Sequence, residues 1–251
     1  MIKIKSKREI ELMRRAGRIA ANALATAGRA VTAGVSTKEL DKIISEVIAA
    51  HGATASFLGY GGFPGSACIS VNHEVIHGIP GSLRLKDGDL VKIDVGATYC
   101  GYIGDCADTF IVGEADGEAK KLVAVTKQSF FEGIKFAKPG NRISDISHAI
   151  QKFVENYGFS IVRSFVGHGV GASLHEEPEV PNFGMPGTGV RLCEGMTLAI
   201  EPMVNQGDYS VKVKDDGWTV VTCDGKKSAH YENSVLITAD GPEILTVADE
   251  V

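Results

Sequence analysis

Two apolar segments of the sequence end on a carboxylate in the same way. Residues 85–94 read LKDGDLVKID and residues 192–201 read LCEGMTLAIE, so each run follows an acid and a glycine and ends at Asp94 or Glu201. A further acid follows each of them: Asp105 just before DTFIVG, and Glu232 at the start of YENSVLIT. Singly, each acid could be a solvated strand end or a turn cap, because an unpaired buried carboxylate costs several kcal/mol or stays protonated. As a matched set, they need a shared explanation.

That explanation is a site for divalent cations. Four carboxylates converging where two halves of the chain meet would repel one another, and two divalent cations would bring their formal charge to zero. His168 in GHGVG adds an imidazole, and its flanking glycines let the backbone approach closely. Oxygen-rich ligation with one imidazole and no thiolate suits Mn²⁺, Fe²⁺, Co²⁺ or Zn²⁺. Such a site activates water, so hydrolysis is the predicted chemistry.

An α+β architecture is needed to position these residues. Apolar spacing predicts helices over 8–28, 36–52, 117–136 and 143–157, the second beginning with Ser36 and Glu39 as a capping box. The predicted strands are ACISVN, DLVKIDVGATY, DTFIVG, FSIVRSFVG, TLAIEPMV, WTVVTCDG and YENSVLIT, separated by Gly, Asp and Pro turns.

The chain also resembles itself. A shift of 106 residues aligns the second helix with the fourth, and a shift of 107 aligns 85–94 with 192–201. We therefore expect a single catalytic domain over 1–251 that is internally duplicated, approximately 8–113 and 117–240, with two pseudo-symmetric halves around a central, largely antiparallel sheet. No linker separates independent domains.

Composition places the chain among ordinary soluble proteins. It is 44% apolar and 23% charged with a net charge of −5, which favours neither membrane nor specific nucleic acid as a partner. The N-terminus has no signal-peptide core, and the five cysteines show no CxxC spacing, so free thiols in a reducing cytoplasm are expected.

Seven motifs give the chain a resemblance to type I methionine aminopeptidases, which have the pita-bread fold shared with prolidases and creatinases. They are NHEVIHGIPG, VKIDVG, GDCADTF, GHGVG, LHEEP, EGMTLAIEPM and DGWTVVTCDGKKSAHYENS, and the resemblance covers nearly the whole chain. It implies a dinuclear centre in which Asp94 chelates one metal, Asp105 and Glu232 bridge, and His168 and Glu201 hold the other. The ions could be Co, Mn, Fe, Zn or Ni.

The same resemblance implies catalytic and substrate roles. His77 would contact substrate near the scissile amide, His175 would hydrogen-bond its carbonyl, and Glu201 would orient or deprotonate the attacking water. The pocket for the methionine side chain would be lined by Tyr60, Phe63, Cys68 and Trp218.

The sequence departs from the usual family pattern at a few positions around these motifs. Phe57, Ala172 and Leu174 stand where Cys, Arg and Phe are frequent, and Asn233-Ser234 replaces a usual His-Thr. The departures leave the predicted ligands intact and bear on the shape of the pocket.

Two motifs and one loop invite other interpretations. HEVIH at 73–77 matches a zinc-protease signature that requires a helix, yet it lies between strand-like ACISV and GIPG. GHGVGA at 167–172 fits a dinucleotide fingerprint but does not open a helix. The loop GYGGFPGS at 59–66 lacks a P-loop ending and is interpreted as a pocket rim.

The predicted function is metal-dependent removal of N-terminal methionine from nascent chains, preferring a small second residue, by a cytoplasmic monomer that contacts the ribosome transiently. An Xaa-Pro aminopeptidase or prolidase on the same fold is the alternative, although those proteins usually carry a long N-terminal domain. A non-catalytic binding module is the alternative from another class; such relatives typically lose metal ligands, and all five are present here.

Overall fold

The computed structural model describes residues 1–249. In this range four α-helices form at the predicted places: α1 Lys7–Arg29, α2 Thr37–Ala50, α3 Gly117–Ile134 and α4 Ile143–Asn156. The predicted capping box of α2 is confirmed, since Ser36 accepts a hydrogen bond from the Glu39 amide and the Glu39 carboxylate accepts from the Ser36 amide. Ser6 and Glu9 cap α1 in the same way.

The strands are short except for a long central hairpin. In chain order they are β1 Thr54–Ala55, β2 Cys68–Val71, β3 Glu74–Ile76, β4 Leu90–Tyr99, β5 Tyr102–Ile111, β6 Ser160–Ile161, β7 Gly167–Gly169, β8 Glu176–Val180, β9 Thr197–Ile200, β10 Met203–Asn205, β11 Val211–Val213, β12 Val220–Thr222, β13 Ser228–His230, β14 Glu232–Thr238 and β15 Gly241–Ile244.

Nine of these strands form one antiparallel sheet. Its path runs β1-β4-β5-β14-β9-β7-β8, with β2 also paired to β4 and β15 to β14. Two three-stranded sheets, β13-β10-β6 and β11-β12-β3, flank it. The predicted antiparallel sheet is confirmed.

Strand alternation decides which side chains meet the helices. Val91, Ile93 and Val95 of β4 pack with α1 and α2, and Val235 and Ile237 of β14 pack with α3 and α4. Because successive side chains point to opposite faces, Asp94 and Glu232 belong to the face that the helices leave uncovered.

The predicted strand boundaries fail in three places. DTFIVG was expected to begin a strand, but β5 starts at Tyr102, so Asp105 lies inside the strand and not at its entrance. The missed feature is a tight hairpin whose turn residues, Cys100 and Gly101, both have positive φ, at 49° and 81°. Such a two-residue turn normally has Asn-Gly or Asp-Gly, which is why Cys-Gly gave no signal.

The other two failures concern single predicted strands that are interrupted. TLAIEPMV is divided into β9 and β10 between Ile200 and Met203, where Pro202 cannot donate to a ladder. FSIVRSFVG is extended only at Ser160–Ile161 and again from Gly167.

Helix α1 lies directly on β5 at a contact between two glycines. A Cβ placed on Gly104 would lie 2.3 Å from both the Cα and the N of Gly17, and one placed on Gly17 would lie 2.3 Å from the carbonyl oxygen of Leu245. The atoms in the way are backbone atoms, so no rotamer change could make room.

We expect Gly104→Ala to lower the free energy of unfolding by about 2–3 kcal/mol or more, because α1 would have to move away from the sheet. Urea unfolding followed by circular dichroism measures this. The control is Gly117→Ala at the first residue of α3, where an added Cβ meets nothing within 4 Å. An equal, small effect of both variants would show that the contact is not tight.

Equivalent hydrogen bonds form within each of the two halves. The Gly34 amide donates to the Leu85 carbonyl and the Gly140 amide to that of Leu192. Likewise, Arg84 donates to the Gly34 carbonyl and Arg191 to that of Gly140. These pairs are related by the shifts of 106 and 107 residues, and they support an internal duplication, which we propose.

Candidate metal centre

Five adjacent strands of the large sheet each place one predicted ligand at its centre. In the order β4, β5, β14, β9 and β7 these are Asp94, Asp105, Glu232, Glu201 directly after β9, and His168. The register aligns them, because Ala107 pairs with both Asp94 and Glu232, and Ala199 pairs with His168.

A cavity of about 160 Å³ opens over these residues. All eleven site residues predicted from the sequence line it: Tyr60, Phe63, Cys68, His77, Asp94, Asp105, His168, His175, Glu201, Trp218 and Glu232. The remaining lining side chains are Phe57, Ile76, Phe165, Val166 and Leu174. Sequence reasoning noted Phe57 and Leu174 as departures, and it missed the other three, which carry no signal beyond apolarity.

The polar atoms of the centre converge without bonding to one another. Glu201 lies between two imidazoles, with Oε1 3.5 Å from Nε2 of His168 and Oε2 3.7 Å from Nε2 of His230. Nε2 of His168 is also 4.0 Å from Oδ2 of Asp105. Among the described residues, Oδ1 of Asp94 and Oδ1 of Asp105 are buried with no hydrogen-bond partner. Buried carboxylate oxygens are normally paired, so these atoms lack a positive partner.

Two groups of three donors are close enough to share an ion. Asp105, His168 and Glu232 form one group and Asp94, His230 and Glu232 the other, with the ligand atoms of each lying within 4.8 Å of one another. Oxygen and imidazole donors with unpaired buried oxygens fit divalent transition-metal ions. Glu201, a predicted ligand, belongs to neither group, and His230, which the sequence did not predict, belongs to one.

The buried carboxyls are electrostatically unfavourable together. Burial raises the pKa of Asp105 to about 7. Burial, then the charge of Asp105, raises the pKa of Asp94 well above its usual range. Burial and the neighbouring acids do the same to the pKa of Glu201 and of Glu232. Protons therefore occupy part of this cluster at neutral pH when no cation balances it.

His168 presents a free nitrogen to the carboxylates. Its Nδ1 lies 2.9 Å from the carbonyl oxygen of Gly169, so Nδ1 carries the hydrogen and Nε2 keeps its lone pair. Burial, with the nearby His175, lowers the pKa of His168 to about 4. The ring is thus neutral and ready to ligate at neutral pH.

Proton release provides a test of this electrostatic arrangement. We expect the binding of Mn²⁺ at pH 7 to release protons into the buffer and to strengthen as pH rises, because cations displace protons from carboxyls whose pKa values are raised. Calorimetry in buffers of different ionisation enthalpy measures the number released. The protons do not come from His168, which is already neutral.

Asp105→Asn should lower the number of protons released, because it removes one of these carboxyls. Lys92→Met is the control, because it removes a nearby buried amine and leaves all the carboxyls in place. Binding enthalpies that are equal in all buffers would contradict the raised pKa values.

His175 is held by Tyr60. The Tyr60 hydroxyl lies 2.7 Å from Nδ1 of His175, and the two rings are 5.3 Å apart. If the hydroxyl donates, Nε2 of His175 carries the hydrogen and can donate to a bound carbonyl. The sequence assigned Tyr60 only to the pocket wall.

His77 is the other histidine of the cavity wall to which the sequence gave a substrate role. It has a φ of 59°, uncommon for a residue other than glycine, and its ring lies edge-on to Phe165 at 5.9 Å. Burial, with the charge of His175, lowers its pKa to about 4. Strained backbone of this kind clusters at functional sites. His77 directly follows β3, and HEVIH consists of a turn residue, the three residues of β3 and His77, with no helix, so the zinc-protease interpretation is excluded.

The predicted pocket is aromatic and deep. Phe63 and Trp218 stack edge-to-face at 5.2 Å, and Cys68 is buried beside Asp94 in the paired strand. Burial raises the pKa of the Cys68 thiol, so it serves as an apolar wall. Tyr60 is 45% exposed and forms the rim.

Two of the departures have visible structural consequences. Phe57 packs against Gly96, where an added Cβ would lie 2.6 Å from its ring. The Ser234 hydroxyl accepts from the Asp105 amide and donates to the Asp105 carbonyl, both at 3.0 Å, and so fixes the backbone of that residue. Ala172 is exposed and does not line the cavity.

Sequence reasoning missed two buried groups behind the carboxylates. His230 is 1% exposed and ends β13, and Lys92 is 1% exposed and donates to the Asn72 carbonyl at 2.8 Å. Burial lowers the pKa of Lys92 to about 7. The available signal for Lys92 was its position two residues before Asp94, and for His230 two residues before Glu232.

None of the helices within residues 1–249 is both long and apolar enough to cross a membrane.

Comparison with known proteins shows what the chain resembles. The profile of metallopeptidase family M24 matches residues 11–239. A methionine aminopeptidase of Clostridium perfringens is 58% identical over 98% of this chain and 99% of its own length, and methionine aminopeptidase 1 of Bacillus subtilis is 54% identical over 98% and 99%. The crystal structure of methionine aminopeptidase from Thermotoga maritima, 49% identical, superposes with a TM-score of 0.97 over 98% of this chain and 99% of that one.

The prolidase from Pyrococcus furiosus is more distant. It is 25% identical, with a TM-score of 0.79 over 98% of this chain and 66% of its own. The shared pita-bread fold is therefore confirmed, and the methionine aminopeptidases named above match over nearly their full length at higher identity than this prolidase does. The chain belongs to metallopeptidase family M24, among its type I methionine aminopeptidases.

Proposed function

We propose that this chain removes the N-terminal methionine from peptides and nascent proteins by metal-dependent hydrolysis. The observation that carries the proposal is the row of five donors on adjacent strands, with buried unpaired oxygens, at the floor of an aromatic cavity. Asp94 would chelate one ion, Asp105 and Glu232 would bridge, and His168 and Glu201 would hold a second. Ions bound there would activate water and polarise the scissile carbonyl.

The chain's own residues then divide the remaining work. Glu201 accepts a proton from the attacking water, because its carboxylate lies among the candidate metal ligands at the floor of the cavity. His175, oriented by Tyr60, donates to the carbonyl oxygen as negative charge develops. His77 contacts the substrate near the scissile amide.

The cavity suits an unbranched, polarizable side chain. Its walls are Phe63, Trp218, Cys68 and Leu174, and sulfur–aromatic contacts favour methionine over a β-branched residue. Phe57 is larger than the cysteine usual at its position and Leu174 is smaller than the usual phenylalanine, so the two departures change the shape of the pocket in opposite senses. A small second residue is preferred, as in the family it resembles.

The identity of the metal, the number of bound ions and the cellular setting are also proposals. We propose two ions per chain, drawn from Co²⁺, Mn²⁺, Fe²⁺, Zn²⁺ or Ni²⁺, in a monomeric cytoplasmic enzyme that meets nascent chains through transient contact with the ribosome. The net charge of −5 does not favour nucleic acid as a specific partner.

The test is a peptide-cleavage assay on metal-stripped protein, titrated in turn with Mn²⁺, Co²⁺, Fe²⁺ and Zn²⁺. The substrates are Met-Ala-Ser, Met-Leu-Ser and Ala-Pro-Ser, with release of the first residue measured directly. Metal-dependent release of methionine from Met-Ala-Ser is expected. Preference for Ala-Pro-Ser would point to a proline peptidase, and absence of both metal binding and cleavage would point to a binding module.

A further inference from the structure

His230 is a fully buried histidine for which the reaction proposed above has no use. It is 1% exposed, and among the described residues neither Nδ1 nor Nε2 has a hydrogen-bond partner. A buried polar group left unpaired destabilises the folded state. Because native proteins pair nearly all such groups, this ring needs a partner that protein atoms do not provide.

The ring points at the carboxylate cluster. Nε2 lies 3.7 Å from Oε2 of Glu201 and 3.7 Å from Oε2 of Glu232. These separations are too long for hydrogen bonds. A hydrogen-bonding role toward either glutamate is therefore not what the geometry shows.

The separations do resemble those between ligands of one ion. Two donors each about 2.1 Å from an ion lie roughly 3.0–3.4 Å apart, so 3.7 Å is wider by a few tenths of an ångström. His230, Asp94 and Glu232 form one of the two donor groups, and Asp105, His168 and Glu232 form the other. Each group contains one imidazole.

We propose that His230 is a sixth protein ligand of the centre, donating Nε2 to the ion held by Asp94 and Glu232. The inference rests on the proposed function only in requiring that the chain bind metal. It makes the two ion sites alike, with one nitrogen and several oxygens each. Imidazole favours Co²⁺ and Zn²⁺ over Mn²⁺, whereas carboxylates favour harder ions such as Mn²⁺. His230 therefore raises the affinity of this site for Co²⁺ and Zn²⁺.

The first test is titration of metal-stripped protein with Co²⁺ and separately with Mn²⁺ by calorimetry. In His230→Gln, one of the two Co²⁺ affinities should fall roughly 10–100-fold, with a smaller loss for Mn²⁺. His51→Gln is the matched control, because His51 is exposed and bonds only to the Val47 carbonyl of its own helix. Two unchanged Co²⁺ affinities in His230→Gln would overturn the proposal.

The second test uses the unaltered protein, so it holds even if the variant does not fold. In the Co²⁺-loaded protein, each imidazole ring that ligates cobalt through one nitrogen has an N–H proton on its other nitrogen. The paramagnetically shifted ¹H resonances of these protons give the number of histidine ligands. We expect two, from His168 and His230, and one alone would overturn the assignment.

The two proposals can fail separately. Protein that binds two Co²⁺ ions through two imidazoles yet releases no methionine would contradict the proposed function and support His230. Protein that cleaves Met-Ala-Ser with a single bound imidazole would do the reverse.

Discussion

Asp105→Asn should lower kcat/KM for Met-Ala-Ser by roughly 10³-fold or more, corresponding to about 4 kcal/mol of lost transition-state stabilisation. The carboxylate of Asp105 lies on the strand between those of Asp94 and Glu232, and its backbone is clamped by Ser234. A carboxamide at this position keeps the shape and one oxygen but loses the charge that would bridge two ions.

The same change should not unfold the protein. Burial raises the pKa of Asp105 to about 7, so its charged form is destabilised in the metal-free state. Removing that charge relieves repulsion with Asp94, and the metal-free variant should melt at the same temperature as the metal-free parent or higher.

Asp108→Asn is the matched control on the same strand, since Asp108 pairs with Lys127 and lines no part of the cavity. Metal content is measured alongside turnover. If Asp105→Asn had full metal content and parental turnover, Asp105 would not be a ligand of the metal centre.

The row of candidate ligands could be predicted because it follows from strand periodicity. A carboxylate directly after a helix-facing valine or isoleucine of a strand points to the opposite face, because successive side chains alternate between the two faces. Asp94 follows Ile93 and Glu201 follows Ile200, so both had to face away from the helices. The duplicated pattern then placed both on the same side of one sheet.

Interactions made by residues far apart in sequence were not predictable from single segments. Tyr60 reaches His175 across 115 positions, and nothing in GYGGFPGS specifies that contact. The Cys100–Gly101 turn gave no sequence signal, so the start of β5 was predicted too late. Asp105 was therefore predicted at the edge of a strand, whereas it lies in the interior of one. Nothing in SAHYENS marks His230 as a site residue. Its position beside Glu201 and Glu232 follows from the pairing of β13 in the folded chain.

Glu201→Gln should lower kcat by roughly 10²–10⁴-fold with a small change in KM, because it removes the proposed acceptor of the water proton. The glutamine keeps the side chain's length and an oxygen between His168 and His230, so substrate binding should survive. The acidic limb of the pH profile of kcat should also change, since that limb reports ionisation of the base.

The control for Glu201→Gln is Glu179→Gln, an exposed position of β8 that pairs in register with His168. Loss of the base and loss of a ligand are distinguished by metal content. If Glu201→Gln binds both ions at parental affinity and kcat falls, Glu201 acts on the proton. If turnover returns fully when metal is raised, Glu201 acts only as a ligand, and another group must accept the proton from water.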